Sequence, residues 1–234
     1  MEGIRLNRFI AMCGVCSRRK ADDLIKEGKV TINKQVIYNL GYRVSSRDNI
    51  FVNGQLIFIE KKRYVLLNKP MGYITTMSDE KGRSTVVSLI KNFFNERVVP
   101  VGRLDKNTTG LLLFTNDGML SKKLMHPKYN VQKTYHVHLD KAMKESDFKK
   151  IEQGFELEDG PIKPIELKHI GVAHLSITIH IGRNRIVRRL FQFLGYNVIK
   201  LDRVAYGCLT KNKLSLGKWR ELTKKEIESL HKNN

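Results

Sequence analysis

The sequence predicts an α+β protein in two parts: a small N-terminal unit over residues 1–60 and a larger domain over 61–234 on a mainly antiparallel, mixed sheet. Three observations carry this. Short amphipathic helices and strands succeed one another within the first 60 residues. A charged link, Glu60-Lys61-Lys62-Arg63, then interrupts the pattern. Beyond it, strands and helices mix without the regular alternation of parallel α/β proteins.

Element by element, Leu6, Phe9, Ile10 and Cys13 fall at helical spacing, so a short helix is expected over residues 4–13, ended by Gly14. Ser17 is a suitable N-cap for a second helix, Arg18 to Glu27, with Ala21, Leu24 and Ile25 inward and Gly28 as its stop. Alternating Val30 and Ile32, the turn Asn33-Lys34 and residues 35–38 form one hairpin. Residues 49–52 run into Asn53-Gly54, the preferred dipeptide of a two-residue hairpin turn. In the larger part, Tyr64 to Lys69 is an apolar strand stopped by Pro70-Met71-Gly72. Residues 84–95 suit a short helix. Val98–Val101 and Leu111–Thr115 read as strands flanking an Arg103–Gly110 loop. Tyr135, Val137 and Leu139 alternate with His136 and His138 in a half-buried strand. A helix is expected over 142–153, and Leu175, Ile177, Ile179 and Ile181 mark another strand.

Charge is the strongest global signal. Of 234 residues, 43 are Lys or Arg and 23 are acidic, a formal net charge of +20. Residues 1–63 carry 13 basic against 6 acidic side chains and residues 64–234 carry 30 against 17, so the excess is not a tail. Such a charge repels itself and calls for a polyanionic partner. No apolar run approaches the ~20 residues needed to span a bilayer, and the N-terminus lacks the apolar core of a signal peptide. A soluble cytoplasmic protein with no membrane partner is expected.

Three cysteines, Cys13, Cys16 and Cys208, suit free thiols in a reducing compartment. Cys13-Gly-Val-Cys16 has redox or zinc spacing, but no second ligand pair follows, and small residues packed at a helix end are the expected reading.

Two constellations could carry chemistry. In Gly102-Arg103-Leu104-Asp105-Lys106, a carboxylate sits between bases that favour its ionised form, in a loop flanked by Gly102 and Gly110. A loop-stabilising aspartate is the bland alternative. In Gly182 to Gly195, helical spacing separates Val187, Leu190, Phe191 and Leu194 from a second stripe of Arg185, Arg188, Arg189 and Gln192. Arginines on one face suit phosphate or carboxylate recognition, and no glutamate lies between Glu166 and Glu221 to neutralise them.

These residues resemble known families. Arg5-Leu-Asn-Arg8-Phe, Ser17-Arg18-Arg19-Lys20-Ala-Asp-Asp-Leu-Ile and Gly28-Lys29-Val-Thr-Ile-Asn resemble the S4 RNA-binding domain over residues 4 to about 58. That resemblance implies that Arg5, Arg8, Arg18, Arg19 and Lys20, with Lys26 and Lys29, face an RNA backbone. Gly102-Arg-Leu-Asp105-x-x-Thr-x-Gly110-Leu-Leu-Leu-x-Thr-Asn-Asp-Gly118 resembles the signature of the ribosomal branch of pseudouridine synthases. The likeness extends through Asn68-Lys69-Pro70, Lys133-Thr134-Tyr135, the arginine helix and Leu201-x-Arg203. His126-Pro127 and Glu156 to Gly160 are closest to members acting on large-subunit (23S) rRNA. Ile186 departs from the pattern, since many members carry Gln there.

The resemblance implies an S4 domain followed by a catalytic domain that isomerises uridine to pseudouridine with no cofactor and no metal. It assigns Asp105 as the catalytic carboxylate, acting as nucleophile at C1′ or as base at the 2′ position. Tyr135 would stack on the base and assist proton transfer at C5, Arg188 would pair with Asp105, and Leu201 would pack beneath the tyrosine. Arg103 would fill the space left by the flipped base, and Arg185 and Arg189 would contact RNA. The partner expected is rRNA, met by a monomer. The competing expectations are the same reaction on small-subunit (16S) rRNA and a non-catalytic rRNA-binding or ribosome-assembly protein. A nuclease would want an acid cluster or a histidine pair with acids, which the seven histidines do not supply.

Overall fold

A computed structural model of the chain describes residues 3–90 and 93–232. They fall into two compact units: residues up to 63 together with 94–98 and 116–118, and the remainder.

In the first unit, β1 (Ile4–Arg5), α1 (Leu6–Met12), α2 (Arg18–Lys26), β2 (Val30–Ile32), β3 (Gln35–Val36), β4 (Arg43–Val44), β5 (Ile50–Val52) and β6 (Gln55–Leu56) follow in order. The expected first helix starts two residues late, because Ile4 and Arg5 pair with Val44 and Arg43. Ser17 caps α2, its hydroxyl accepting from the Lys20 amide at 3.2 Å. Asn7 is buried and donates to Asp22 at 2.9 Å, tying the two helices. The strands form a sheet in the order β3-β2-β5-β6. Both hairpin turns use left-handed backbone, Asn33-Lys34 at φ 49° and 74° and Asn53-Gly54 at 50° and 77°, which matches the twist of the strands they join. Leu6, Ile10, Ala21, Leu24 and Ile25 close over Val30, Ile32, Ile50 and Val52. Each such aliphatic side chain contributes roughly 1.5–3 kcal/mol on burial. Cys13 and Cys16 are free, half-buried thiols where α1 ends, and burial pushes the Cys13 thiol up to about 12.

The second unit is built on β7 (Tyr64–Lys69), β8 (Val99–Pro100), β9 (Thr109–Thr115), β10 (Lys133–Leu139), β11 (Phe155–Leu157), β12 (Gly160–Ile162), β13 (Glu166–Gly171), β14 (His174–Ile179), β15 (Val198–Tyr206), β16 (Leu209–Thr210) and β17 (Trp219–Glu221). Its helices are α3 (Gly118–Met125), α4 (Glu145–Gln153), α5 (Ile186–Phe193) and α6 (Lys224–Lys232). The main sheet runs β13-β14-β10-β15-β9-β7-β17, with β16 on β15 and β8 on β9. Every pairing in it is antiparallel except β9 with β15. The expected helix over 84–95 is a single 3-10 turn, Val86–Leu89, and Lys91 and Asn92 lie outside the described residues. Its start is held extended instead: Ile74 donates to Ser84 and accepts from Val86, both at 2.9 Å.

The parallel joint is a point of close backbone approach in the sheet. Gly110 lies opposite Arg203 at φ +108°, and a Cβ there would stand 2.3 Å from the Arg203 carbonyl oxygen and 2.5 Å from its nitrogen. Arg203 is buried beside it, its Nε donating to the Leu111 carbonyl at 2.8 Å. Tyr64, Leu66, Leu111 and Leu113 of β7 and β9 pack with Leu120 and Leu124 of α3 and Leu230 of α6.

At the end of β7 the fully buried Lys69 fixes the loop that leads into β9. Its ammonium donates to the carbonyls of Pro70 (3.1 Å), Asp105 (3.1 Å), Lys106 (3.3 Å) and Thr108 (2.8 Å). Burial pushes this lysine down to about 8 from its ordinary 10.5, while the Asp105 carboxylate works the other way.

Both anchors can be tested by substitution. Gly110→Ala should destabilise the protein by about 3 kcal/mol or more, since backbone must move, whereas Gly118→Ala, with open space around its Cβ position, should be near neutral; thermal unfolding of the two variants separates them. Lys69→Met leaves four inward carbonyls without their donor, so amide hydrogen exchange over residues 105–108 should accelerate. Between pH 8 and 10.5 the unfolded chain holds the Lys69 proton that the folded chain has released. The wild type's stability relative to Lys69→Met should therefore rise with pH across that window. A constant difference between the two denaturation curves would rule out a buried, titrating Lys69.

Candidate active site

The loop pinned by Lys69 forms one wall of a cleft of about 630 Å³ in the second unit. Within the loop the Leu104 amide donates to Thr75 Oγ1 at 3.2 Å and the Leu104 carbonyl accepts from it at 2.7 Å. Gly72 donates to the Lys106 carbonyl at 2.9 Å, and Thr108 closes a turn onto Asp105 at 3.0 Å. With its backbone held at both sides and Leu104 buried below, the half-exposed Asp105 side chain is left to face the cleft.

The sheet supplies the floor. Tyr135 of β10 lies opposite Arg203 of β15, and Leu201 lies opposite Val137, so the inward rows of both strands share one face. Tyr135 and Leu201 are buried and both line the cleft, as expected of neighbours on that face. Arg203 lies 4.8 Å over the ring of Tyr206, whose hydroxyl donates to the Leu124 carbonyl at 3.1 Å. Burial pushes that phenol up to about 12, so it stays protonated. Lys133, two residues before Tyr135, donates to the His180 carbonyl at 2.7 Å; burial, reinforced by Arg203, pushes it down to about 8.

The opposite rim is the segment Gly182 to Val187. Arg185 is the N-cap of α5 in left-handed conformation, φ 45°, a backbone state that costs a non-glycine residue of order 1 kcal/mol or more. Its Nη1 stands 3.7 Å from Asp105 Oδ2. Both side chains are substantially exposed, so the pair adds little to stability and acts through position and charge. Ile186 is buried and also lines the cleft.

The structure brings together Arg103, Asp105, Tyr135, Arg185 and Leu201, and corrects one expectation. Arg188 does not form the ion pair with Asp105. Its fork donates to the Val198 carbonyl at 2.7 Å and the Asn107 carbonyl at 2.8 Å, so it braces the loop two residues beyond the carboxylate. The reason is the start of α5: with Arg185 as cap at its mouth, Arg188 lies one turn in, beside the first residue of β15. Arg189 does not line the cleft. It pairs with Asp159 and donates to the Asn184 carbonyl at 2.9 Å. Leu194 and Gln192 of the expected stripes are half-buried and exposed respectively.

Spacing and local charge give no role to Lys69, Lys133, Arg183 or Arg203, all of which line or support the cleft. The signal in the sequence is a cation where the strand pattern demands an apolar residue, Lys69 after Val65-Leu-Leu above all. Of the residues lining the cleft, Asp105 is the one acid, set among Arg103, Lys133, Arg183, Arg185 and Arg203. Arg103 is exposed and has no partner among the described residues. No group of three His, Cys, Asp or Glu side chains among the described residues could hold a metal ion. No described helix is long and apolar enough to cross a membrane.

In the first unit Arg5, Arg18, Arg19 and Lys20 are exposed and Arg8 is half-buried. The four arginines have no carboxylate partner among the described residues, while Lys20 lies 4.0 Å from Asp23.

Comparison with known proteins agrees with both units. Residues 63–193 match the family model described as RNA pseudouridylate synthase, and residues 4–50 match the S4 domain. The ribosomal large subunit pseudouridine synthase B of Bacillus subtilis is 44% identical over 97% of this chain and 95% of its own length. The protein of the same name from Pseudomonas aeruginosa is 38% identical over 97% of this chain, which spans 62% of that relative. A crystal structure of a pseudouridylate synthase, 32% identical, superposes over 97% of this chain and 99% of its own with a TM-score of 0.72. A single carboxylate among cations, a tyrosine on the floor and these likenesses lead to one conclusion: the chain belongs to the RNA pseudouridylate synthase family and carries an N-terminal S4 domain.

Proposed function

We propose that this enzyme converts a specific uridine of large-subunit (23S) rRNA to pseudouridine, acting as a cytoplasmic monomer. The observation that carries the reading is the lone carboxylate, Asp105, in a cleft otherwise lined by cations and an inward tyrosine. The likeness to the two large-subunit synthases supports the choice of rRNA.

In the reaction the C1′–N1 bond breaks, the base turns, C5 bonds to C1′, and the proton on C5 is lost while N1 gains one. The atoms balance as an isomerisation. Asp105 acts at the ribose, as nucleophile at C1′ or as base at the 2′ carbon, and either role needs the carboxylate held toward the cleft, as the pinned loop presents it. Arg185 faces that carboxylate and Arg188 holds the loop behind it. Tyr135 stacks on the flipped base above Leu201 and assists the proton transfer at C5. Arg103, free of protein partners among the described residues, occupies the gap left in the RNA and offsets part of the few kcal/mol of unstacking. Arg5, Arg8, Arg18, Arg19 and Lys20 contact phosphates along the helices of the S4 domain.

Two expected outcomes test this. Incubation with rRNA tritiated at C5 of uridine should release tritium with the wild type and none with Asp105→Asn, which should still bind RNA; equal release by both would remove Asp105 from the chemistry. Replacing Arg5, Arg8, Arg18 and Arg19 with Ala should weaken rRNA binding and flatten the plot of log K against log salt by roughly 3, at about 0.7–0.9 for each phosphate no longer neutralised. An unchanged slope would take those arginines off the RNA.

A further inference from the structure

Beside the cleft, the tip of the β11–β12 hairpin is a densely bonded polar feature of the second unit. Leu157 pairs with Gly160, which leaves Glu158 and Asp159 as its two-residue turn. Asp159 holds two arginines at once. Its Oδ1 accepts from Arg183 Nη1 at 3.0 Å and its Oδ2 pairs with Arg189 Nη2. Arg183 also donates to the carbonyls of Asp159, Gly160 (2.8 Å) and Pro161. Gly160 sits at φ +110°, where a Cβ would come within 3.3 Å of Arg183 Nη1. Phe155 stacks on Phe193 with ring centroids 4.9 Å apart, seating the hairpin against the end of α5.

Between the two clamped arginines lies Arg185, in its left-handed backbone state and 3.7 Å from Asp105. Four guanidinium groups, those of Arg183, Arg185, Arg188 and Arg189, fall within seven residues. They repel one another, and such crowding works against a cap in a sparsely populated conformation. Asp159 contacts two of them, its one negative charge offsetting part of their repulsion, and grips the segment on both sides of the cap. Neither Asp159 nor Arg189 lines the cleft.

We propose that Asp159 is a positioning residue: the hairpin tip sets the Arg183–Arg189 segment so that Arg185 faces the reacting carboxylate. This rests on Asp105 being that carboxylate. Asp159 then controls the chemical step through Arg185, and RNA affinity only weakly, because the cations of the cleft and of the S4 domain remain in place.

The test uses the full chain with Asp159→Asn, Asp159→Glu, Arg185→Ala and the double variant Asp159→Asn/Arg185→Ala. Single-turnover tritium release, equilibrium rRNA binding and thermal unfolding are measured on each. Asp159→Asn should slow the single-turnover rate roughly tenfold or more with binding changed less than about twofold. Asp159→Glu should recover part of the rate, and Asp159→Asn should add little in the Arg185→Ala background. A wild-type rate in Asp159→Asn, or losses that multiply independently in the double variant, would overturn the proposal. If Asp159→Asn unfolds, Arg189→Gln, which leaves the Arg183 bonds intact, is read by the same criteria. Active Asp105→Asn would instead remove the reading of the site on which the proposal stands, and the two failures are thereby told apart.

Discussion

The architecture of the second unit turns on one close approach, the backbone of Gly110 against the backbone of Arg203. These residues form the parallel joint between two otherwise antiparallel halves of the sheet. A parallel pair of strands cannot be closed by a tight hairpin. The chain between β9 and β15 therefore makes α3, β10, α4, the β11–β12 hairpin, β13, β14 and α5 before it returns. The side chain missing at Gly110 lets that return register against β9. The loop and the floor of the cleft adjoin this joint. The Asp105 loop enters β9 immediately before it, and Leu201, Arg203 and Tyr206 lie on β15 beside it.

Around the joint, the site is held together by cations whose work is internal. Lys69 gathers three carbonyls of the loop and that of Pro70, Arg203 reaches the Leu111 carbonyl, Arg188 reaches Asn107, and Arg183 ties the hairpin tip to the cleft rim. Each is a charged donor on neutral acceptors, stronger than an ordinary hydrogen bond. The result is a fixed backbone around one half-exposed carboxylate and, among the described residues, one unpartnered rim arginine, Arg103. Such a division suits a site that must present a fixed acid to a ligand entering from outside. A net charge of +20 thus has two origins: some cations are available to a polyanion, and others are structural.

Features governed by neighbours in sequence were legible before the fold was known. Ser17 caps α2 because capping needs only the next three residues, and Asn53-Gly54 turns because both residues tolerate positive φ. The alternation of Tyr135, Val137 and Leu139 survives as the inward row of β10. Features that depend on distant partners were not. β15 escaped the alternation rule because its inward row includes Arg203, a charge in place of an apolar residue. Residues 84–95 carry helical spacing, yet bonds to Ile74 hold the start of the segment extended. The stripe of Arg185, Arg188 and Arg189 is real as spacing but divides in space, because the helix starts after Arg185 and Asp159 captures Arg189.

By itself, then, the sequence determined the two-part α+β organisation, the basic character of the first unit and the loop that carries Asp105. These follow from composition, local periodicity and a run of residues contiguous in the chain. Only the tertiary structure decided which arginine meets that carboxylate, which lysine holds its loop, and that the hairpin tip at Asp159 grips the opposing rim. The last two pairings join residues 36 and 24 positions apart, and Arg185 reaches back further still to Asp105. They are settled by where the sheet returns upon itself, and neither periodicity nor local charge encodes that distance.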